Sequence, residues 1–193
     1  MTPYRIDKKT STQEVYDLRN FKKKGNFYIM GDIDETIPIN IIAPLQLTIE
    51  NKIASDDTSP IKVYITSNGG WVDMAFDIVG LFEHAKAHGI PIHTYVMSAA
   101  YSAGSIIAVA GSVRFVTRRA SHLIHYPRGS DYSDSPVMAQ RNLDWYKFLS
   151  EEMIVLYEKY CKIPNLREKL LTDNYMVHGP ELLKFKVADK YYD

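Results

Sequence analysis

The run Val96-Met-Ser-Ala-Ala-Tyr-Ser-Ala-Gly-Ser-Ile-Ile-Ala-Val-Ala-Gly111 sets three serines among small apolar residues without one charge, and Ser112 follows it. Of Ser98, Ser102, Ser105 and Ser112, only Ser102 falls where a strand-to-helix turn would expose its hydroxyl beside free backbone N–H groups. Ala100-Tyr-Ser-Ala-Gly104 also approximates the nucleophile elbow G-x-S-x-G, with Ala in the first Gly position. A serine hydroxyl becomes a useful nucleophile when a base removes its proton, and that base is usually a histidine oriented by a carboxylate. His84 and His88 read as solvated histidines at a helix end, and His93 as a core residue of an apolar strand. His122 and His125 stand three apart in a strand that ends at Pro127, and so on opposite faces. His125, at the strand end where side chains reach a cleft, is the better base.

A second constellation is Ser67-Asn-Gly-Gly70, which reads as the turn between a strand and the helix beginning at Trp71. Paired glycines let the backbone approach a bound group and leave N–H donors free.

The elements that must hold these groups follow from periodicity. Apolar strands are expected at Phe27–Ile33, Ile61–Thr66 and Ile90–Val96, and short ones at Arg114–Thr117 and Ser121–Tyr126. Helical spacing covers Ile39–Ala54, with Pro44 in its first turn, and Trp71–Ala87, with Val72, Phe76, Val79 and Phe82 inward and His88-Gly89 closing it. A buried small-residue helix begins at Ser102, one long helix runs from Ser135 to about Lys162, and two short ones cover Asn165–Leu171 and Pro180–Phe185. Alternation of strand and helix predicts a parallel sheet with helices on its faces.

Composition narrows the class. The chain of 193 residues suits one domain, and 23 basic against 23 acidic residues give zero formal charge, which points to neither nucleic acid nor an anionic membrane as partner. One cysteine, Cys161, suits a reducing compartment. The N-terminus shows no apolar signal region, and the longest apolar run is too short to cross a bilayer. A cytoplasmic location is therefore expected.

Taken together, Ile65-Thr-Ser-Asn-Gly-Gly70, Ala100-Tyr-Ser-Ala-Gly104, Leu123-Ile-His-Tyr-Pro127 and Thr172-Asp-Asn-Tyr175 resemble, in order and spacing, the Clp protease proteolytic subunits (ClpP) of the crotonase-like superfamily. The resemblance spans about residues 27 to 189. It implies an α/β fold, a spiral of ββα repeats forming a single peptidase domain over residues 1–193. Residues 1–25 would be an N-terminal arm and about 135–162 a protruding handle helix. Carried over by position, Ser102 is the nucleophile, His125 the general base and Asp173 the orienting carboxylate, with the N–H groups of Gly70 and Ala103 as oxyanion hole. It further implies homo-oligomeric rings of seven stacked as a tetradecamer, unfolded polypeptides as substrates and a ring-shaped AAA+ ATPase unfoldase as partner. Tyr64 matches a position in the unfoldase-docking pocket, and Lys62 lies two residues earlier on the same strand face. The resemblance implies no metal or nucleotide in the chain itself, and any ATP would be used by a separate subunit, since no Walker A string occurs here.

Departures from the family pattern are specific. Ser-Asn-Gly-Gly replaces Ser-Pro-Gly-Gly, Arg128–Pro136 replaces a Gly-rich substrate-binding segment, and Leu171-Thr172 replaces a Glu-Arg pair that helps couple the rings. Two other readings stand beside the peptidase: a structural ring subunit without catalysis, and an α/β-hydrolase-type esterase. The esterase order needs an acid between Ser102 and His178; Asp173 is only five residues before that histidine, and Asp144 is the other candidate.

Overall fold

The computed structural model describes residues 25–129, 135–172 and 174–192. Asp173 and the N-terminal arm up to residue 24 therefore lie outside the described residues. The elements, in order, are β1 (Asn26–Ile33), a π-helical turn (Pro38–Ile42) leading into α1 (Ala43–Ala54), β2 (Ile61–Gly70), α2 (Val72–Ala87), β3 (Ile92–Tyr101) and α3 (Ala103–Val109). β4 (Val113–Val116), β5 (Ser121–Ile124), α4 (Pro136–Tyr160), α5 (Leu166–Thr172), β6 (Tyr175–His178), α6 (Glu181–Lys184) and β7 (Lys190–Tyr191) follow.

The seven strands of the described residues form one mixed sheet, consistent with the expected α/β class. Its main path is β1-β2-β3-β4-β7, all parallel. β3 forks: its first half pairs with β4 from His93 to Val96, and its second half pairs with β5 from Ala99 to Tyr101. β6 closes the branch antiparallel to β5, an exception to the all-parallel expectation. This fork matters for chemistry, because the half of β3 leading to Ser102 runs beside the strand leading to His125.

Period-two alternation divides the sheet into two faces. Phe27, Ile29, Ile33, Ile61, Val63, Ile65, Ile92 and Val96 point to the helices and are buried. On the opposite face, the register places Tyr28, Tyr64, Tyr95 and Phe115 in one row across β1 to β4. Their rings stack at 4.9, 4.7 and 4.6 Å, and Tyr192 meets Tyr95 edge-on at 5.2 Å. His93 belongs to this outer face, half-buried beside Phe115, and not to the core. Burial, with Lys62 and Lys190 nearby, pushes its pKa down.

The helices follow their apolar stripes. α2 buries Ala75, Ile78, Val79, Phe82 and Ala85, so its inward face is rotated from the predicted one; Val72 and Phe76 flank it half-buried. Gly89 closes it with φ 74°. α3 is buried at all seven positions, which its small residues permit against neighbouring backbone. α4 is divided: Leu149, Met153, Ile154, Leu156 and Tyr157 are buried, while Val137, Met138, Leu143, Trp145 and Phe148 in its first half are exposed. Its C-terminal end is held by Arg114, which forks onto Asp189 through Nε and Nη2 at 2.9 and 2.8 Å and donates from Nη1 to the Tyr160 carbonyl at 2.7 Å.

Candidate active site

The local fold of the glycine pair differs from a plain turn. β2 continues through Ser67 to Gly70, because Gly69 and Gly70 pair with Asp32 and Ile33 of β1. Their φ values of 102° and 142° are accessible to glycine and strained for other residues. A Cβ on Gly69 would lie 2.6 Å from the Ser102 Cβ, and one on Gly70 would collide with the Ile33 carbonyl. The pair thus brings β2 backbone against the serine turn.

Ser102 sits between β3 and α3 with φ 52° and ψ −123°, a conformation that L-residues rarely adopt. It is held there by its own backbone: its N–H donates to the Leu123 carbonyl at 2.8 Å, and its carbonyl accepts from Ser105 N at 2.9 Å and Ile106 N at 3.2 Å. A non-glycine residue kept in such a region costs about 1–3 kcal/mol, and such strain clusters at functional sites. The turn projects the half-buried side chain into a cleft of about 280 Å³ that also receives Gly70 and His125. Trp71, Ile106, Tyr146, Leu149 and Met153 give the cleft an apolar wall, and Asp73 and Arg128 stand at it as charges.

His125 follows the end of β5 and is half-buried. Its Nδ1 lies 2.7 Å from the Tyr126 carbonyl. A carbonyl only accepts, so this bond puts the proton on Nδ1 and leaves the Nε2 lone pair for a base. Ser102 Oγ makes no hydrogen bond to His125 in this state. The cleft gathers three of the five predicted groups, Ser102, His125 and Gly70; Ala103, the residue after the serine, is buried and opens α3 with no intrahelical partner for its N–H. The fifth, Asp173, is outside the described residues.

The other candidates are placed elsewhere. Ser98 is exposed, and Ser112 accepts from Ile92 N at 3.1 Å. Ser105 and His122 are buried and bonded to each other. Asp144 is exposed on α4, accepting from Gln140, and His178 is exposed on β6; neither lines the serine cleft, so the esterase pair is not assembled there. His88 Nδ1 is bonded to the His84 carbonyl, and His84 pairs with Glu50 at 3.3 Å. Among the described residues, no group of three or more His, Cys, Asp or Glu is placed to hold a metal ion. A larger cleft of about 510 Å³ lies where α4 passes to α5, but it holds neither Ser102 nor His125. Its Cys161 thiol is pushed up to about 12 by burial, which makes it a poor nucleophile.

Sequence reasoning missed the apolar wall of the cleft. Leu149 and Met153 stand four residues apart on one helical face, but nothing in the sequence says that this face lines the Ser102 cleft.

Comparison with known proteins gives an independent line. The Clp protease family model matches residues 8–177. An ATP-dependent Clp protease proteolytic subunit from Leuconostoc citreum is 35% identical over 176 residues, covering 90% of this chain and 78% of that protein. The same-named protein from Streptococcus mutans is 29% identical over 198 residues, covering 98% and 96%. A third, from Streptococcus uberis, is 28% identical over 177 residues, covering 90% and 80%.

Proposed function

We propose, for a chain that belongs to the Clp protease family and so is a serine-type peptidase subunit, that Ser102 is the nucleophile and His125 its general base. The observation that carries this reading is the strained Ser102 turn opening into one cleft with His125 and Gly70. In the proposed reaction Ser102 Oγ attacks the scissile carbonyl carbon and its proton passes to His125 Nε2. The oxyanion is held by the N–H groups of Gly70 and Ala103. As the tetrahedral intermediate collapses, the C–N bond breaks and His125 returns the proton to the departing amine. Water, deprotonated by His125, then releases the acyl-enzyme. Asp173 is proposed as the carboxylate that orients His125. No group beyond the chain's own side chains and backbone is required.

The substrates are proposed to be unfolded polypeptides, and the working form seven-membered rings stacked in pairs. The exposed apolar residues of the first half of α4 support a contact with a second copy of the chain, as a handle helix would make. A separate AAA+ ATPase ring is proposed to dock on the outer face of the sheet, where Tyr64 stands in the stacked row of Tyr28, Tyr95 and Phe115, and to feed the chamber from there. Lys62, one register row away and beside His93, makes this face more basic than an all-aromatic pocket. Among the described residues no helix is long and apolar enough to cross a membrane. A cytoplasmic location is proposed on the single, buried cysteine.

The structural-subunit reading has one observation in its favour: the Tyr126 carbonyl occupies the His125 nitrogen that a triad carboxylate would take. Hydrolysis decides between them. Cleavage of short fluorogenic peptides by the assembled protein, abolished in Ser102→Ala, supports the peptidase; no cleavage with or without an ATPase ring supports the structural subunit.

A further inference from the structure

Three elements bound the serine cleft: α3 begins just after Ser102, β5 leads to His125, and α4 supplies Leu149 and Met153. Each of the three also contributes one side chain to a single hydrogen-bond chain behind the cleft. The Tyr157 hydroxyl donates to Ser105 Oγ at 2.7 Å, and Ser105 Oγ lies 2.9 Å from His122 Nδ1. Ser105 is fully buried, and His122 and Tyr157 are each 1% exposed.

The links from this chain to the reacting groups are short. Ser105 is three residues beyond Ser102 and donates its backbone N–H to the Ser102 carbonyl. His122 stands three residues before His125, and its neighbour Leu123 accepts the Ser102 N–H. Tyr157 lies on the α4 stripe of Leu149 and Met153, four residues beyond the latter.

The proton directions follow from the donors. Tyr157 gives its one proton to Ser105, and the pairing that leaves the fewest groups unsatisfied has Ser105 donate to His122 Nδ1, which assigns the His122 proton to Nε2. That Nε2 is buried with no hydrogen-bond partner among the described residues. Burial also drives His122 down to about 3, so the chain stays uncharged. A buried donor left unpaired is unfavourable, and an apolar trio of similar shape would avoid that loss. The polar trio is thus not the arrangement that stability alone would favour.

We propose that Ser105, His122 and Tyr157 are positioning residues, locking α3, β5 and α4 into one register so that Ser102 and His125 open into one cleft and the apolar wall stands at a fixed distance from them. The inference rests on the peptidase reading of the same cleft. None of the three touches substrate; they act through the elements that do.

The test is the rate at which a fluorophosphonate labels the assembled full chain, followed by intact mass over a range of probe concentrations. Wild type is compared with Tyr157→Phe and with the all-apolar triple variant Tyr157→Phe, Ser105→Ala, His122→Leu. The triple variant is expected to assemble and to melt no lower than wild type, while its maximal labelling rate falls about ten- to a hundredfold. Its half-saturating probe concentration is expected to stay within about twofold. Tyr157→Phe should move the maximal rate in the same direction, and it decides the matter if the triple variant does not fold. Wild-type rates in the variants would overturn the inference and leave the trio as packing. So would a loss carried by the half-saturating concentration alone. A wild-type protein that takes no label at all overturns the peptidase reading itself, and the inference with it.

Discussion

The backbone N–H of Ser102 donates to the carbonyl of Leu123 at 2.8 Å, so the proposed nucleophile is bonded directly to the strand that delivers His125 two residues later. That bond helps to hold Ser102 at φ 52°, where only glycine is at ease. Ser102→Gly should therefore be more stable than Ser102→Ala by about 1 kcal/mol, although both lack the hydroxyl. Denaturant unfolding of the two variants at equal protein concentration checks this. Equal stabilities would mean that the turn stores no strain.

Arg114 and Asp189 tie the start of β4 to the residue before β7, through two side-chain bonds and a third from Arg114 N to Asp189 Oδ2 at 2.9 Å. Arg114 is only 9% exposed, so removing the carboxylate leaves a buried guanidinium uncompensated. Asp189→Ala is expected to destabilise by about 3 kcal/mol, and Asp189→Asn, which keeps one acceptor, by clearly less. The same partners hold the Asp189 pKa below the usual carboxylate range, because the Arg114 bonds outweigh the opposing effect of burial.

His122 makes stability depend on acid. Its pKa falls from an ordinary 6.5 to about 3 because burial opposes the charged form and Arg114 adds repulsion. Between those values the unfolded chain binds a proton that the folded chain refuses, so stability is full above the unfolded value and declines as pH drops below it. From about pH 6.5 to about pH 5.5 wild type should lose about 1 kcal/mol more than His122→Leu. Parallel pH profiles for the two proteins would contradict the buried, neutral state of His122.

The outer aromatic row predicts a separation of functions. Tyr64→Ala removes the ring between Tyr28 and Tyr95 without touching the cleft. Cleavage of short peptides by this variant should stay within about twofold of wild type, while degradation of a folded protein through an added ATPase ring drops about tenfold or more. Loss of both activities together would place Tyr64 in the fold and not in docking.

The parts of this architecture legible in the sequence were those carried by local signals. α2 announced itself by its stripe and its Gly89 stop, although the stripe is rotated so that Ala75 and Ile78 displace Phe76 from the core. The Ser102 turn was visible because an uncharged small-residue run can only be buried, and a hydroxyl at its head needs a reason. Gly69-Gly70 reads in the sequence as a turn because glycine usually punctuates, whereas in the fold β1 pairs with it and extends the strand. β6 and β7 were missed, since four and two residues carry too little periodicity and are fixed by the partners they meet. The Ser105–His122–Tyr157 chain joins residues up to 52 apart, and no spacing rule connects them.

Intact-mass spectrometry of the assembled protein after fluorophosphonate treatment, with wild type, Ser102→Ala and Ser98→Ala side by side, tests the central claim most directly. The expected result is one adduct per chain in wild type and in Ser98→Ala, and none in Ser102→Ala. An adduct that persists in Ser102→Ala, or none in wild type even with an ATPase ring present, would contradict Ser102 as the activated nucleophile.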